Sequence, residues 1–520
     1  MIAPAISGKP GRPNFMRLFL LFATISVVGI GCAGMDVPAD RPHQFSLPAA
    51  ESGLVYEFAQ GATAGLEPNE SGLLLLSRND DAFAWRLALI DSAVDAIDAQ
   101  YFIWDSDFAG LLLLGRLIDA ADRGVRVRLL VDDVFLTHSD REVSALTSHP
   151  NLDVRVFNPN SARRTQTARV VNFAFNLQKL NRRMHNKLLV VDGQVAILGG
   201  RNIGNAYFGL SSSYNFRDLD TLVTGSELPT MLASFDEYWN SPYSFSGEPL
   251  HARGDWEYFL EFRERITRSV NADALSKVVD ASPRDWGSFF DQGLEEVLPA
   301  RARYIYDHPT ERADRRVGGA LSEFLSQEQD DVIVVTPYLI PDDDVLDGLK
   351  VLVDRGTQVR VLVPSMASNN HTIAHSQYRK YRARLLRKGV ELYEYRHQPQ
   401  GVAPGYIESD LMRARFVSMH MKAMVGGDNY AFVGSLNLDS RALRLDTESG
   451  LIIESAEYAQ RLRQILEPML SPQQAWLVEN SRLGYVWTSE IGSSRRQPAR
   501  SWFQRLADAV YWFLPLRDHL

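Results

Sequence analysis

Residues 184–202 read MHNKLLVVDGQVAILGGRN, and residues 419–437 read MHMKAMVGGDNYAFVGSLN. Each opens on a His-x-Lys pair, His185 with Lys187 and His420 with Lys422, and each ends on an Asn, Asn202 and Asn437. Fourteen positions separate His from Gly in both, at Gly199 and Gly434, and seventeen separate His from Asn. Packing alone does not reproduce one set of polar residues at one spacing so far apart in a chain. The two stretches are therefore expected to be two halves of a single site.

On a strand, residues two apart share a face, so each His-x-Lys is expected to present both side chains together. Residues 188–191 continue that strand, with residues 195–198 as its hairpin partner across a turn at Asp192. The Gly-Gly and Gly-Ser steps permit close approach to a ligand, and each Asn offers an amide. Two imidazoles, two ammonium groups and two carboxamides suit a phosphodiester. Lys and Asn would hold the non-bridging oxygens, one His would attack phosphorus, and the other would protonate the leaving alcohol. No carboxylate stands at ligand spacing to the histidines, and two lysines would repel a cation, so neither a metal nor another cofactor is expected.

Working outward, the surroundings repeat as well. Residues 72–76 read as a strand, 80–96 as a helix with Phe83, Leu87, Ile90 and Val94 on one face, and 97–104 as a strand. A helix over 111–123 stops at Gly124, and strands over 125–131 and 152–157 follow. The second half repeats this order: strand 331–338, helix 345–354, strand 358–363 and strand 390–395. Alternation of this kind predicts an α/β sandwich in each half. The expected organisation is a leader over 1–31, a tether over 32–70, a first repeat over 71–246, a connection over 247–298, a second repeat over 299–470 and an aromatic tail over 471–520.

The chain has 520 residues, 45% hydrophobic and 23% charged, with a formal net charge of −9. That is a globular composition whose overall field does not draw in polyanions, so no nucleic-acid partner is expected. One stretch, 154–191, contains no Asp or Glu, is strongly basic up to Lys187, and is either a solvated loop or a funnel for an anionic substrate. A single cysteine, Cys32, excludes intrachain disulfides. It follows an apolar run over 18–30 preceded by Arg12 and Arg17, as in a bacterial lipoprotein signal, with Gly29 where Leu is usual. Trp502, Phe503, Trp512 and Phe513 near the C-terminus suit a membrane interface or a docked helix equally well.

The doubled motif resembles the phospholipase D superfamily over roughly residues 72–470. The stretches around residues 98–103, 120–133, 375–382 and 434–441 are most similar to envelope-facing bacterial cardiolipin synthases. The resemblance implies two α/β sandwich repeats packed as a pseudo-dimer around one shared active site. It also implies a phosphohistidine intermediate, with His185 as nucleophile and His420 as acid. An acidic residue some thirty positions after each His would orient its imidazole, which points to Asp218 for the first motif and Glu448 for the second. Asp192 is implied to be structural, and the second motif departs from the pattern with Gly427, beside which Asp428 is a candidate substitute. The expected activity is transfer of a phosphatidyl group to phosphatidylglycerol, making cardiolipin, with phosphatidylethanolamine as a further candidate substrate. A hydrolytic phosphodiesterase and an inactive envelope-binding lipoprotein are the alternatives. The expected location is the bacterial cell envelope, at the membrane and facing the periplasm, with lipid attached at Cys32.

Overall fold

The computed structural model describes residues 42–136, 139–160, 182–246, 255–277, 279, 285–311, 315–327, 330–409 and 412–514. In the first repeat a parallel core of three strands, Ala96–Trp104, Arg126–Leu136 and Leu152–Phe157, is joined by helices Phe108–Asp122 and Asp140–Leu146. Val127, Leu129 and Val131 are buried on the middle strand, and Leu113, Leu117 and Ala121 are buried on the helix that covers it. Asp107 caps that helix by accepting from the Gly110 N–H. Antiparallel strands Leu188–Val191, Val195–Gly199, Asp220–Gly225 and Ser71–Leu76 extend the sheet on one side.

The second repeat has the same strand order. Asp331–Val335, Gln358–Pro364 and Glu391–Tyr395 form its parallel core. Ala423–Gly426, Tyr430–Gly434, Ser449–Glu454 and Leu298–Tyr306 then extend it. The outermost strands of the two halves pair antiparallel, Ser71 opposite Ala300, so among the described residues one 18-stranded sheet runs through both. A single apolar cluster fills the junction, with Leu188, Val190 and Phe235 from one half against Ile333, Val425 and Leu462 from the other. The mixed α/β architecture of two matched repeats agrees with the sequence reading.

Three assignments change. Within the expected tether, residues 42–70 are fixed to the first repeat. Leu54–Thr63 is a helix burying Val55, Phe58 and Ala59, and the Ser46 N–H donates to Asp236 Oδ2 at 2.8 Å. Its Pro, Gly and Ala content conceals this, because the anchoring bonds come from distant side chains. The described part of the connection contributes two helices to the first repeat, Trp256–Ala272 and Trp286–Leu294, with Phe259, Phe262 and Phe290 in its core. The expected tail is also structured. Ala475–Ser481 pairs with Glu391–Tyr395, as Ser244–Ser246 pairs with Leu152–Phe157 in the first half, so the second repeat continues past residue 470. The leader, Cys32 and most of the basic stretch lie outside the described residues.

Candidate active site

Neither His-x-Lys segment is itself strand. The regular strand begins at Leu188 in one motif and at Ala423 in the other. The residues just before them hydrogen-bond with the opposite repeat. Phe416–Met419 pairs in parallel with Tyr214–Arg217, Met419 opposite Arg217, and the His420 N–H donates to the Arg217 carbonyl at 2.9 Å. Met184 bridges Thr447 in the same sense, with the His185 N–H donating to the Thr447 carbonyl at 2.9 Å. These segments switch partners because each must serve its own sheet on one side and the neighbouring repeat on the other.

That register decides which carboxylate meets which imidazole. Asp218 follows Arg217 and His420 follows Met419, so the two are neighbours, with His420 Nδ1 2.7 Å from Asp218 Oδ2. Glu448 follows Thr447 and His185 follows Met184, which puts His185 Nδ1 2.9 Å from Glu448 Oε2. The pairing is crossed. Both acids are the expected ones, but each orients the imidazole of the other repeat, so the within-repeat assignment is corrected.

All six principal groups are buried. Lys187 and Lys422 curl back so that Lys422 Nζ donates to the His420 carbonyl at 2.6 Å and Lys187 Nζ to the His185 carbonyl. Lys422 Nζ also lies 3.0 Å from both ring nitrogens of His420. Burial, with the Lys422 charge, lowers His420 to about 3 against the pull of Asp218. Burial and both lysines likewise lower His185, so both imidazoles are neutral at rest. Burial lowers Lys422 to about 8 against Asp218 and Glu448. Burial opposes the charge on Asp218, but His420, Lys422 and Arg201 outweigh it and hold that carboxyl at about 2. On Glu448 burial prevails over Lys187 and the Ser435 hydroxyl, raising it to about 8.

The carboxamides differ. Asn202 is committed to its own repeat, its Oδ1 accepting from the Ile103 N–H at 3.1 Å and its Nδ2 donating to the Tyr207 hydroxyl at 2.9 Å. These bonds use its carbonyl oxygen and one of its two amide hydrogens. Asn437 Oδ1 is buried with no hydrogen-bond partner among the described residues. Asp192 is outside the site. Its carboxylate accepts from the backbone N–H groups of Val94, Asp95 and Ala96, the closest at 2.8 Å. Gly427 occupies the matching turn at φ 52°, close to the 54° of Asp192, and Asp428 is exposed, so no shifted turn brings it into that role. Arg463 holds this turn instead, donating to the Gly427 carbonyl at 2.6 Å and pairing with Asp331.

The motif glycines make room for protein, not ligand. A Cβ on Gly200 would sit 2.2 Å from Asp218 Oδ1, and one on Gly434 would sit 2.5 Å from the Ser449 carbonyl. Sequence reasoning did not single out Ser435, whose hydroxyl donates to Glu448 Oε2. Nor did it give a site role to Phe102, whose ring meets His185 edge to face at 4.8 Å. Tyr207 stands edge-on to His420 at 5.4 Å. Ser435 was the legible one, since it differs from Gly200 at an otherwise matched position.

His375, Tyr378 and Arg382, from one of the stretches that carry the resemblance, are interior. His375 meets Asp508 at 2.8 Å, while Tyr378 and Arg382 both meet Glu394. The described arginines of the basic stretch are likewise buried, Arg155 donating to the Trp239 carbonyl and Arg182 to those of His308 and Thr310. Among the described residues no group of three His, Cys, Asp or Glu is placed to hold a metal ion. A cavity of about 430 Å³ beside Leu321, Val345 and Leu349 is lined by none of the site residues.

A family profile described as "Cardiolipin synthase, PLD-like domain" matches residues 87–239 and again 321–470. The chain belongs to the phospholipase D superfamily, in its cardiolipin synthase-like group. It is similar to cardiolipin synthase C of Escherichia coli strain K12, 32% identical over 86% of this chain and 96% of that protein. Cardiolipin synthase 1 of Bacillus anthracis is 24% identical over 79% of this chain and 69% of that one. In fold, the chain is similar to the crystal structure of phosphatidylserine synthase from Haemophilus influenzae Rd KW20, with a TM-score of 0.56, 15% identity and coverage of 90% and 100%.

Proposed function

We propose that this protein is a phosphatidyltransferase that makes cardiolipin, passing a phosphatidyl group from one phospholipid to the hydroxyl of phosphatidylglycerol through a phosphohistidine. The observation that carries the reading is the pair of buried imidazoles, each with Nδ1 held by a carboxylate of the other repeat and each backed by a lysine. An Nδ1–H donated to the carboxylate leaves the Nε2 lone pair for chemistry, which at His185 requires Glu448 in its ionised form. Asp218, ionised at neutral pH, is the carboxylate able to support an imidazolium at His420, and an anionic phosphodiester between the lysines offsets the Lys422 charge that opposes one. His420 is therefore the proton donor and His185 the attacking group.

His420 takes up a proton on Nε2 as the anionic phosphodiester binds; in the first step His185 Nε2 bonds to phosphorus, the bond to the leaving alcohol breaks, and His420 gives that alcohol its proton. In the second step His420 takes the proton of the acceptor hydroxyl, the new P–O bond forms and the N–P bond breaks. Lys187, Lys422 and the Asn437 amide bear on the phosphate oxygens. Transfer wins over hydrolysis when a lipid hydroxyl reaches the phosphohistidine before water does. A bacterial envelope location with lipid on Cys32 would keep donor and acceptor at hand, and incorporation of labelled fatty acid, lost in Cys32→Ser, tests that placement.

The function is tested by incubating the purified protein with mixed vesicles of phosphatidylglycerol and phosphatidylethanolamine and analysing the lipids. Cardiolipin with free glycerol or ethanolamine is expected. Phosphatidic acid alone would make the protein a hydrolase, and no turnover of any phosphodiester would overturn the reading. His185→Ala is expected to abolish turnover, and retention of most of the activity would exclude the proposed site.

A further inference from the structure

The terminal helix, Trp502–Trp512, is docked with its polar side inward. Asp508 is fully buried, its carboxylate meeting His375 Nδ1 at 2.8 Å and the Arg379 guanidinium. Gln504 Nε2 donates to the Met366 carbonyl at 2.6 Å, and Gln377 Nε2 donates to the Tyr511 carbonyl at 2.9 Å. Ser501 caps the helix by accepting from the Gln504 N–H. These bonds fix the rotation of the helix about its axis. The side left in water is apolar: Trp502 is 62% exposed, Phe503 63%, Leu506 54%, Val510 55% and Phe513 78%. At offsets of one, four, eight and eleven from Trp502, these residues form one continuous stripe.

An ordinary surface helix buries such a stripe. Here a buried hydrogen-bonded network holds it outward, which costs hydration free energy in water and is recovered only when something apolar covers it. The surroundings specify what. Between residues 491 and 514 the only acid is Asp508, already buried and paired, whereas Arg495, Arg496, Arg500 and Arg505 are exposed. Exposed Lys380 adds a charge beside the Trp512 ring, 6.0 Å away. Apolar and aromatic side chains rimmed by cations match the headgroup and acyl boundary of an anionic bilayer. The face also lies near the strand that leads to His420. The Arg500 guanidinium lies 3.6 Å from the centroid of the Phe416 ring, and Phe416 begins the strand that ends beside His420.

We infer that the terminal helix is a monotopic membrane-docking element, which lays its Trp502, Phe503, Leu506, Val510 and Phe513 stripe into an anionic phospholipid surface and sets the second repeat against the bilayer beside the catalytic cleft. The choice of a phospholipid surface rests on the proposed substrates, but docking does not depend on turnover and can fail or succeed separately.

The test uses the full chain carrying Cys32→Ser and Leu506→Cys, labelled at the introduced cysteine with an environment-sensitive fluorophore. Vesicles containing phosphatidylglycerol are expected to shift its emission to the blue and to shield it from iodide, and phosphatidylcholine vesicles to do so less. An unchanged, quenchable label on phosphatidylglycerol vesicles would overturn the inference. So would a label already shielded without vesicles, which would mean that protein covers the stripe. In a second arm, Phe503→Ser/Leu506→Ser/Val510→Ser is expected to lose at least about tenfold in turnover on vesicles while keeping its rate on short-chain lipid dispersed in detergent. Equal losses on both substrates would mean a folding or catalytic defect and sink the docking role.

Discussion

The two repeats solve the same two problems with different residues. Where the imidazole partner is attached, the first repeat uses the short Asp218 and makes room for it with Gly200. The second uses the longer Glu448 and places Ser435 where its hydroxyl donates to that carboxylate. Where the motif hairpin turns, the first repeat has Asp192 in a left-handed conformation, its carboxylate tied to three backbone N–H groups. The second has Gly427 in the same conformation, stabilised from outside by Arg463 and Asp331. The backbone requirement is constant at each point, and the side chains that meet it covary. A residue missing from a motif therefore need not mean a function lost.

Mixing these solutions should break the site in proportion to how directly each touches an imidazole. Gly200→Ala puts a methyl where Asp218 Oδ1 sits and should cost about 100-fold in kcat/KM by displacing the partner of His420. An unchanged rate would mean that Asp218 does not orient that imidazole. Glu448→Asp, which imports the acid of the first repeat without its glycine, should shorten the reach to His185 and cost about tenfold. Steady-state kinetics on vesicles decides both. The site as a whole should show an activity maximum near pH 8, because Glu448, raised to about 8, ionises as pH rises to that value, and Lys422, lowered to about 8, loses its charge above it. A kcat/KM profile flat to pH 10 would remove Lys422 from the phosphate clamp.

The turn should respond in stability, not rate. Asp192→Ala strands three backbone donors and should destabilise the fold by about 2–3 kcal/mol, measured by denaturant unfolding, while folded enzyme keeps its turnover. Gly427→Asp should do least. The backbone there already has the conformation that Asp192 adopts, so activity should stay within a few-fold, and a large change in turnover would refute a purely structural role for this position.

Much of the molecule was legible in the chain. Period-two and helical apolar patterns with Gly124 and Gly356 as stops located the parallel core of each half, because that core is built from local alternation. The constant spacing of His and Lys picked out His185, Lys187, His420 and Lys422, which the structure brings together in the candidate site. Glu448 and Asp218 were found as acids, but not whose imidazole each serves, since that is fixed by Arg217 lying opposite Met419 and Met184 opposite Thr447 across the two repeats. The tether reading failed for residues 42–70, where the bonds that fix the chain come from Asp236 and Asn240 far along it. Asn202 was legible as a site residue, but not that Ile103 and Tyr207 hold its carbonyl oxygen and one of its amide hydrogens. Sequence by itself determined the inventory of the site and the order of each repeat, because both are written in local spacing. Only the tertiary structure decided that the halves exchange their carboxylates and that the last helix turns its apolar side outward. Both depend on pairings between residues more than a hundred positions apart, about which local spacing carries no information.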